Sequence, residues 1–191
     1  MAATALAAVT AVVASLTWCD GARAAETRVF LFRGWFGVFS TGLDNLADEL
    51  KTKGINADAR GHLSWSSTVS EILRDRAAGR VTRIALVGHS QGANNVIDMA
   101  YELQKSNVPV DLLITLAPYL QKPVPSNVVR AVDYFQGGGW GAPLTAEPGF
   151  HGKIQNVDLK NDPSILHVNI DKSDKVKADI MREILAVAQA K

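Results

Sequence analysis

Hydrophobic residues in this chain fall into short unbroken runs separated by longer stretches of helical period. The runs cover Arg28 to Phe32, Ile55 to Ala59, Val81 to Val87, Asp111 to Ala117, Val128 to Phe135 and Ile154 to Leu159. Runs without polar/apolar alternation point to strands buried on both faces, as in parallel sheets. Between the first two, Thr41 to Lys53 carries Leu43, Leu46, Ala47 and Leu50 on one stripe, with Gly54 at the stop position, the pattern of an amphipathic crossover helix. Ser66 to Ala78 repeats it with Val69, Ile72, Leu73 and Ala77 ahead of Gly79, and Gly92 to Gln104 follows the third run. Asp174 to Gln189, with Val176, Ile180, Ile184, Leu185 and Ala188 inward, predicts a last helix. Strand and helix alternating through short connections imply one α/β domain, a doubly wound, mostly parallel sheet of about six strands with right-handed crossovers. Only Gln136 to Gly152, rich in glycine and proline, breaks the rhythm; loops of that length in compact domains are commonly functional.

Residues 1–18 are almost wholly Ala, Val, Leu, Thr and Ser, and Ala22-Arg23-Ala24 gives a small-x-small cleavage pattern. Residues 1–24 therefore resemble a secretory signal peptide, which makes 25–191 the mature domain and the location periplasmic or secreted. The run is short for a membrane span, so no stable membrane anchor is expected. The single cysteine, Cys19, cannot close an internal disulfide and lies in that leader. Twenty Lys and Arg stand against 19 Asp and Glu in 191 residues, too even a balance to gather nucleic acid or acidic lipid. No His, Cys or carboxylate cluster has metal-ligand spacing, and no cofactor is implied.

The densest chemistry lies in Ile84-Ala85-Leu86-Val87-Gly88-His89-Ser90-Gln91-Gly92-Ala93-Asn94, an apolar strand running through Gly-x-Ser-x-Gly into a helix. A serine lifted out of the sheet needs a tight turn, and flanking glycines let strand and helix approach without Cβ clashes. At the helix N-terminus, free N–H groups and the positive dipole end face a developing oxyanion. A dinucleotide-binding turn fails on spacing: Gly88 and Gly92 are four apart with no glycine between, and no acidic residue ends the next strand near Leu116.

This segment resembles the lipase, esterase and thioesterase branch of the α/β-hydrolases, and the order of elements extends the resemblance over nearly all of 28–190. It implies a minimal hydrolase fold without a cap domain, because only a short Pro118-to-Pro125 linker stands where larger relatives insert one. Phe30-Leu31-Phe32-Arg33-Gly34-Trp35-Phe36-Gly37 is similar to the His-Gly-x-x-Gly loop of many hydrolases, with Arg33 in place of histidine. By that resemblance the backbone N–H groups of Trp35 and Gln91 form the oxyanion hole. Trp35, Phe36 and Phe39 either pack beneath the turn or line a substrate pocket.

Ser90 is the expected nucleophile, and four histidines compete as its base. His89 sits inside the turn, with its side chain set by the turn and pointing away from its neighbour. His62 falls too early for the Ser, acid, His order of the resembled fold. His167, between the last strand and the last helix, is favoured over His151, which also reads as a solvated loop residue. For the acid, Asp133 lies toward the end of the penultimate strand, with Asp158 the alternative. Asp162, Asp171 and Asp174 are near His167 in sequence, but Asp162 and Asp174 also read as turn or cap residues. A Ser-His pair oriented by a carbonyl or an Asn stays open. The implied activity is hydrolysis of small-molecule or lipid-like carboxylic esters or thioesters through an acyl-enzyme. The alternatives are an acyltransferase using the same site and a non-catalytic ligand-binding protein that keeps the fold.

Overall fold

A computed structural model describes residues 26–190 apart from Phe36, Val38, Phe39 and Gln121. The leader expected at residues 1–24, Cys19, and the substrate-contact expectations for Phe36 and Phe39 lie outside the described residues. Six strands form one parallel sheet in the order β2-β1-β3-β4-β5-β6: β1 Thr27–Phe32, β2 Asn56–Arg60, β3 Arg83–His89, β4 Leu112–Leu116, β5 Arg130–Phe135 and β6 Lys153–Asp158. Among the described residues three helices cross between them, α1 Gly42–Thr52, α2 Trp65–Ala77 and α3 Gln91–Lys105, and a fourth, α4 Asp174–Gln189, follows β6.

Successive strand residues feed opposite sides of the sheet, which is why the central runs are continuously apolar. Val29 and Leu31 of β1 and Ala85 and Val87 of β3 pack with Leu43, Leu46 and Leu50 of α1 and Ile180 and Ile184 of α4. Phe30, Phe32, Ile84 and Leu86 point the other way, onto Ile72 of α2 and Val96, Ile97 and Leu103 of α3. The two edge strands depart from the expectation of burial on both faces. In β2 only Ala57 is buried, and Asp58 and Arg60 join Arg28 and Glu71 in an ion-pair network. No residue of β6 is fully buried. An edge strand has one lateral neighbour and is incompletely covered, so polar side chains persist there.

The order places a topological switch between β1 and β3: the chain moves outward from β1 to β2, then returns to the other side of β1. Helix α1 lies on one face and α2 and α3 on the other. A crevice therefore opens at the carboxyl ends of β1 and β3, the place where open α/β sheets bind ligands. Phe32 and Gly88 stand side by side there, so the loops that follow them, carrying Gly34 and Ser90, meet over the crevice.

Candidate active site

Ser90 links β3 to α3 at φ +55° and ψ −118°, a conformation that L-residues adopt only where the surroundings enforce it. Those surroundings are backbone. A Cβ on Gly88 would strike the Gly92 carbonyl, and one on Gly92 would collide with the Phe32 carbonyl and lie 2.8 Å from Arg33 O. The Ser90 N–H donates to Leu116 O at 2.9 Å, and Ser90 O accepts from the Ala93 and Asn94 N–H groups, opening α3. The serine is thus clamped at a helix N-terminus with its side chain in a cavity of about 170 Å³, lined by Gly34, Trp35, Ser40, His89, His167 and Val168.

The His167 Nε2 lies 3.0 Å from Ser90 Oγ. Several contacts hold the loop that carries it. Asn169 accepts from the Leu166 N–H at 2.6 Å and donates to Ser164 O at 3.0 Å; the Gln136 amide donates to Ile165 O; buried Asp171 accepts the Gly42 N–H at 2.8 Å. Trp140, from the glycine-rich loop after β5, stacks on the His167 ring with centroids 4.5 Å apart. Burial draws the His167 imidazole down to about 4, with the neighbouring His89 ring adding to the shift, so at neutral pH it is an uncharged proton acceptor.

Neither expected acid reaches this histidine. Among the described residues His167 Nδ1 has no hydrogen-bond partner. Asp133 is wholly buried within β5, its Oδ1 accepting from the Thr115 hydroxyl at 2.6 Å. With Ala131 it points to the α2/α3 side of the sheet, whereas the base loop runs into α4 on the opposite side. Burial pushes its carboxyl up to about 7, against the pull of the Thr115 hydroxyl. Asp158 accepts the Gly137 and Lys160 N–H groups, both at 2.9 Å, and Asp162 closes a turn on Ser164. His151 is exposed on the loop before β6, and His62 borders a separate cavity of about 560 Å³ with Arg33 and Leu63.

The first-strand loop approaches the serine closely: a Cβ on Gly34 would lie 3.1 Å from Ser90 Cβ. Trp35 follows it at the cavity, while Gln91 is the first residue of α3. Arg33 is turned away, paired with Asp44 at 2.5 Å. Besides the Trp140 contact, two features went unseen in the sequence. Buried Asn94 accepts from the Tyr119 and Leu120 N–H groups and donates to Leu120 O, pinning the loop after β4 so that Tyr119 packs 5.8 Å from the Trp35 ring. His89, 2% exposed, directs its ring to Ser40 and to His167 O.

No family model matches the chain, and no curated protein matches its sequence. Among solved structures it is similar to the NocB thioesterase domain from the nocardicin cluster, with 10% identity over 87% of this chain and 96% of that one and a TM-score of 0.50. The fold is of the α/β-hydrolase type. Two further solved structures are similar to it at lower TM-scores. One is a putative α/β-superfamily hydrolase from Xanthomonas campestris pv. campestris, at 17% identity over 81% and 98% of the two chains with a TM-score of 0.40. The other is Est1E from Butyrivibrio proteoclasticus, at 14% identity over 86% and 90% with a TM-score of 0.44. Among the described residues no group of three or more His, Cys, Asp or Glu side chains could hold a metal ion, and no helix is long and apolar enough to cross a membrane.

Proposed function

We propose that the chain is a serine hydrolase that cleaves carboxylic esters or thioesters through an acyl-enzyme on Ser90. The observation that carries this reading is the 3.0 Å approach of His167 Nε2 to the Ser90 hydroxyl, on a strained turn at the switch point of the sheet. His167, with its hydrogen on Nδ1, accepts the Ser90 proton at Nε2 as Oγ attacks the carbonyl carbon. It then returns that proton to the leaving alcohol or thiol, and water repeats the sequence to release the acid. The backbone N–H groups of Trp35 and Gln91 stabilise the oxyanion. Among the described residues no carboxylate bonds the base. Packing against Trp140 and the bonds along 164–171 orient the ring instead.

Exposed apolar side chains gather at the serine's cavity: Trp35 and Val168 line it, Tyr119 packs on Trp35, and Trp140 packs on His167. Such a rim favours an apolar acyl group or lipid-like ester over a charged one. The test is pre-steady-state hydrolysis of p-nitrophenyl esters from acetate to octanoate. A burst of p-nitrophenol equal to the enzyme concentration, absent in Ser90→Ala, is the expected result. Turnover accelerated by added alcohol, with ester as product, indicates an acyltransferase. No burst with any ester, or an unchanged rate in Ser90→Ala, refutes the reading.

A further inference from the structure

The ring of His89 spans the two halves of the site, and elementary hydrogen-bond accounting fixes the direction of every bond it makes. Its Nε2 lies 2.7 Å from His167 O. A carbonyl only accepts, so Nε2 carries the hydrogen. The ring is 2% exposed, and burial takes it down to about 4, so it is neutral near pH 7 and its Nδ1 is a lone pair. The Ser40 hydroxyl, 2.7 Å away, must then donate to Nδ1. Having spent its hydrogen there, Ser40 Oγ accepts the Gly34 N–H at 3.0 Å. The result is one chain with each polar group satisfied: Gly34 N–H to Ser40, Ser40 O–H to His89 Nδ1, His89 Nε2–H to His167 O.

The two ends of this chain matter. Gly34 directly precedes Trp35, an oxyanion donor in the reading above, and His167 O belongs to the backbone of the base. We propose that His89 is a positioning residue that sets the separation of the oxyanion loop and the base loop across Ser90. The inference rests on the hydrolase reading. It accounts for an arrangement in which His167 Nδ1 has no hydrogen-bond partner among the described residues: the base is located through its main chain, by a neighbouring imidazole. Ser40 and His89 are both buried, so water competes poorly for these bonds. The groups facing His89 are Ser40, the His167 ring at 5.1 Å between centroids, and the more distant positive charge of Lys172.

The experiment is a double-mutant cycle of His89→Phe and Ser40→Ala on the full chain, with kcat and KM for p-nitrophenyl butyrate normalised to fluorophosphonate-titratable sites. His89→Phe lowers kcat on the order of 100-fold, the scale of a misplaced catalytic group, with little change in KM. Ser40→Ala alone lowers kcat about tenfold, and in the His89→Phe background costs less than about twofold, because its acceptor is already gone. Additive losses, or a wild-type kcat in either single variant, overturn the inference. Nitrogen-15 imidazole spectra of wild type and Ser40→Ala provide the arm that needs no foldable His89 variant. The expected state is Nε2–H with a lone-pair Nδ1 resonance that moves on Ser40→Ala; hydrogen on Nδ1, or no movement, overturns the chain. Wild type that neither turns over nor takes up the probe removes the hydrolase reading, and with it any part for His89 in turnover. An active wild type with a failed cycle removes the positioning role alone.

Discussion

Asp133 offers a sharp contrast between a structural and a catalytic carboxyl, because Asp133→Asn should change stability and spare activity. The side chain is wholly buried and holds one bond, from Thr115, while Oδ2 has no partner among the described residues. Its folded-state pKa is about 7, whereas in the unfolded chain it titrates near the ordinary ~3.9. Below pH ~4 both states hold the proton and the group contributes no pH dependence. Between about 4 and 7 the unfolded chain has released its proton and the folded chain has not, so stability falls as pH rises. At ~1.4 kcal/mol per pH unit the loss reaches about 4 kcal/mol and levels off above pH 7. Asparagine cannot ionise, and the difference between variant and wild type isolates this one group from all others. The assay is urea unfolding of both proteins from pH 4 to 8.5. The variant should gain on wild type by about 2 to 4 kcal/mol across that range, with kcat/KM at pH 7.5 within about threefold. A pH-independent difference would refute the burial argument, and a loss of about 10⁴ in kcat/KM would restore Asp133 as the triad acid.

Other consequences can be checked together. With burial, and then the neighbouring His89, holding His167 down to about 4, protonation of the base disables the site only in acid. The acid limb of kcat/KM should therefore fall near pH 4 and the rate be flat through neutrality; a limb near 6.5 to 7 would show a base with ordinary basicity. Gly92→Ala drives a methyl group into the backbone carbonyls of Phe32 and Arg33 and should destabilise the domain by at least about 2 kcal/mol, lowering Tm; an unchanged Tm contradicts the packing of the turn. We propose that residues 1–24 are removed on export, leaving a mature N-terminus at Ala25, which N-terminal sequencing of the protein from an expressing cell reads directly; a retained residue 1 excludes it.

Much of the fold was legible because hydrophobic period and buried position coincide in the centre of the sheet. The six runs match the six strands within a residue or two, and the last helix spans Asp174–Gln189 as its apolar stripe implies. The edges were less legible: Ile55 to Ala59 looks like a core strand, but lateral position in the sheet, which no local pattern encodes, leaves most of it half-exposed. Within the site, Ser90 and His167 could be singled out since each sits where a strand ends, and loops after parallel strands gather at one rim. Asp133 misled because position along a strand says nothing about which face the residue joins; two-residue alternation puts it with Ala131 on the side away from the base loop. Trp140 and Asn94 could not be found, as packing on His167 and clamping of Tyr119 and Leu120 join segments 25 or more residues apart. For His89 the turn alone implies a side chain pointing away from its neighbour, and nothing local announces that its ring reaches a carbonyl 78 positions later in the chain.

The most direct measurement is intact-mass and peptide-level analysis after treatment with a fluorophosphonate. One equivalent of adduct on Ser90, lost in Ser90→Ala with Tm unchanged and slowed at least about 10³-fold in His167→Ala, is what the geometry predicts. A folded wild-type protein that stays unmodified at neutral pH, or an adduct that persists in Ser90→Ala, would contradict it.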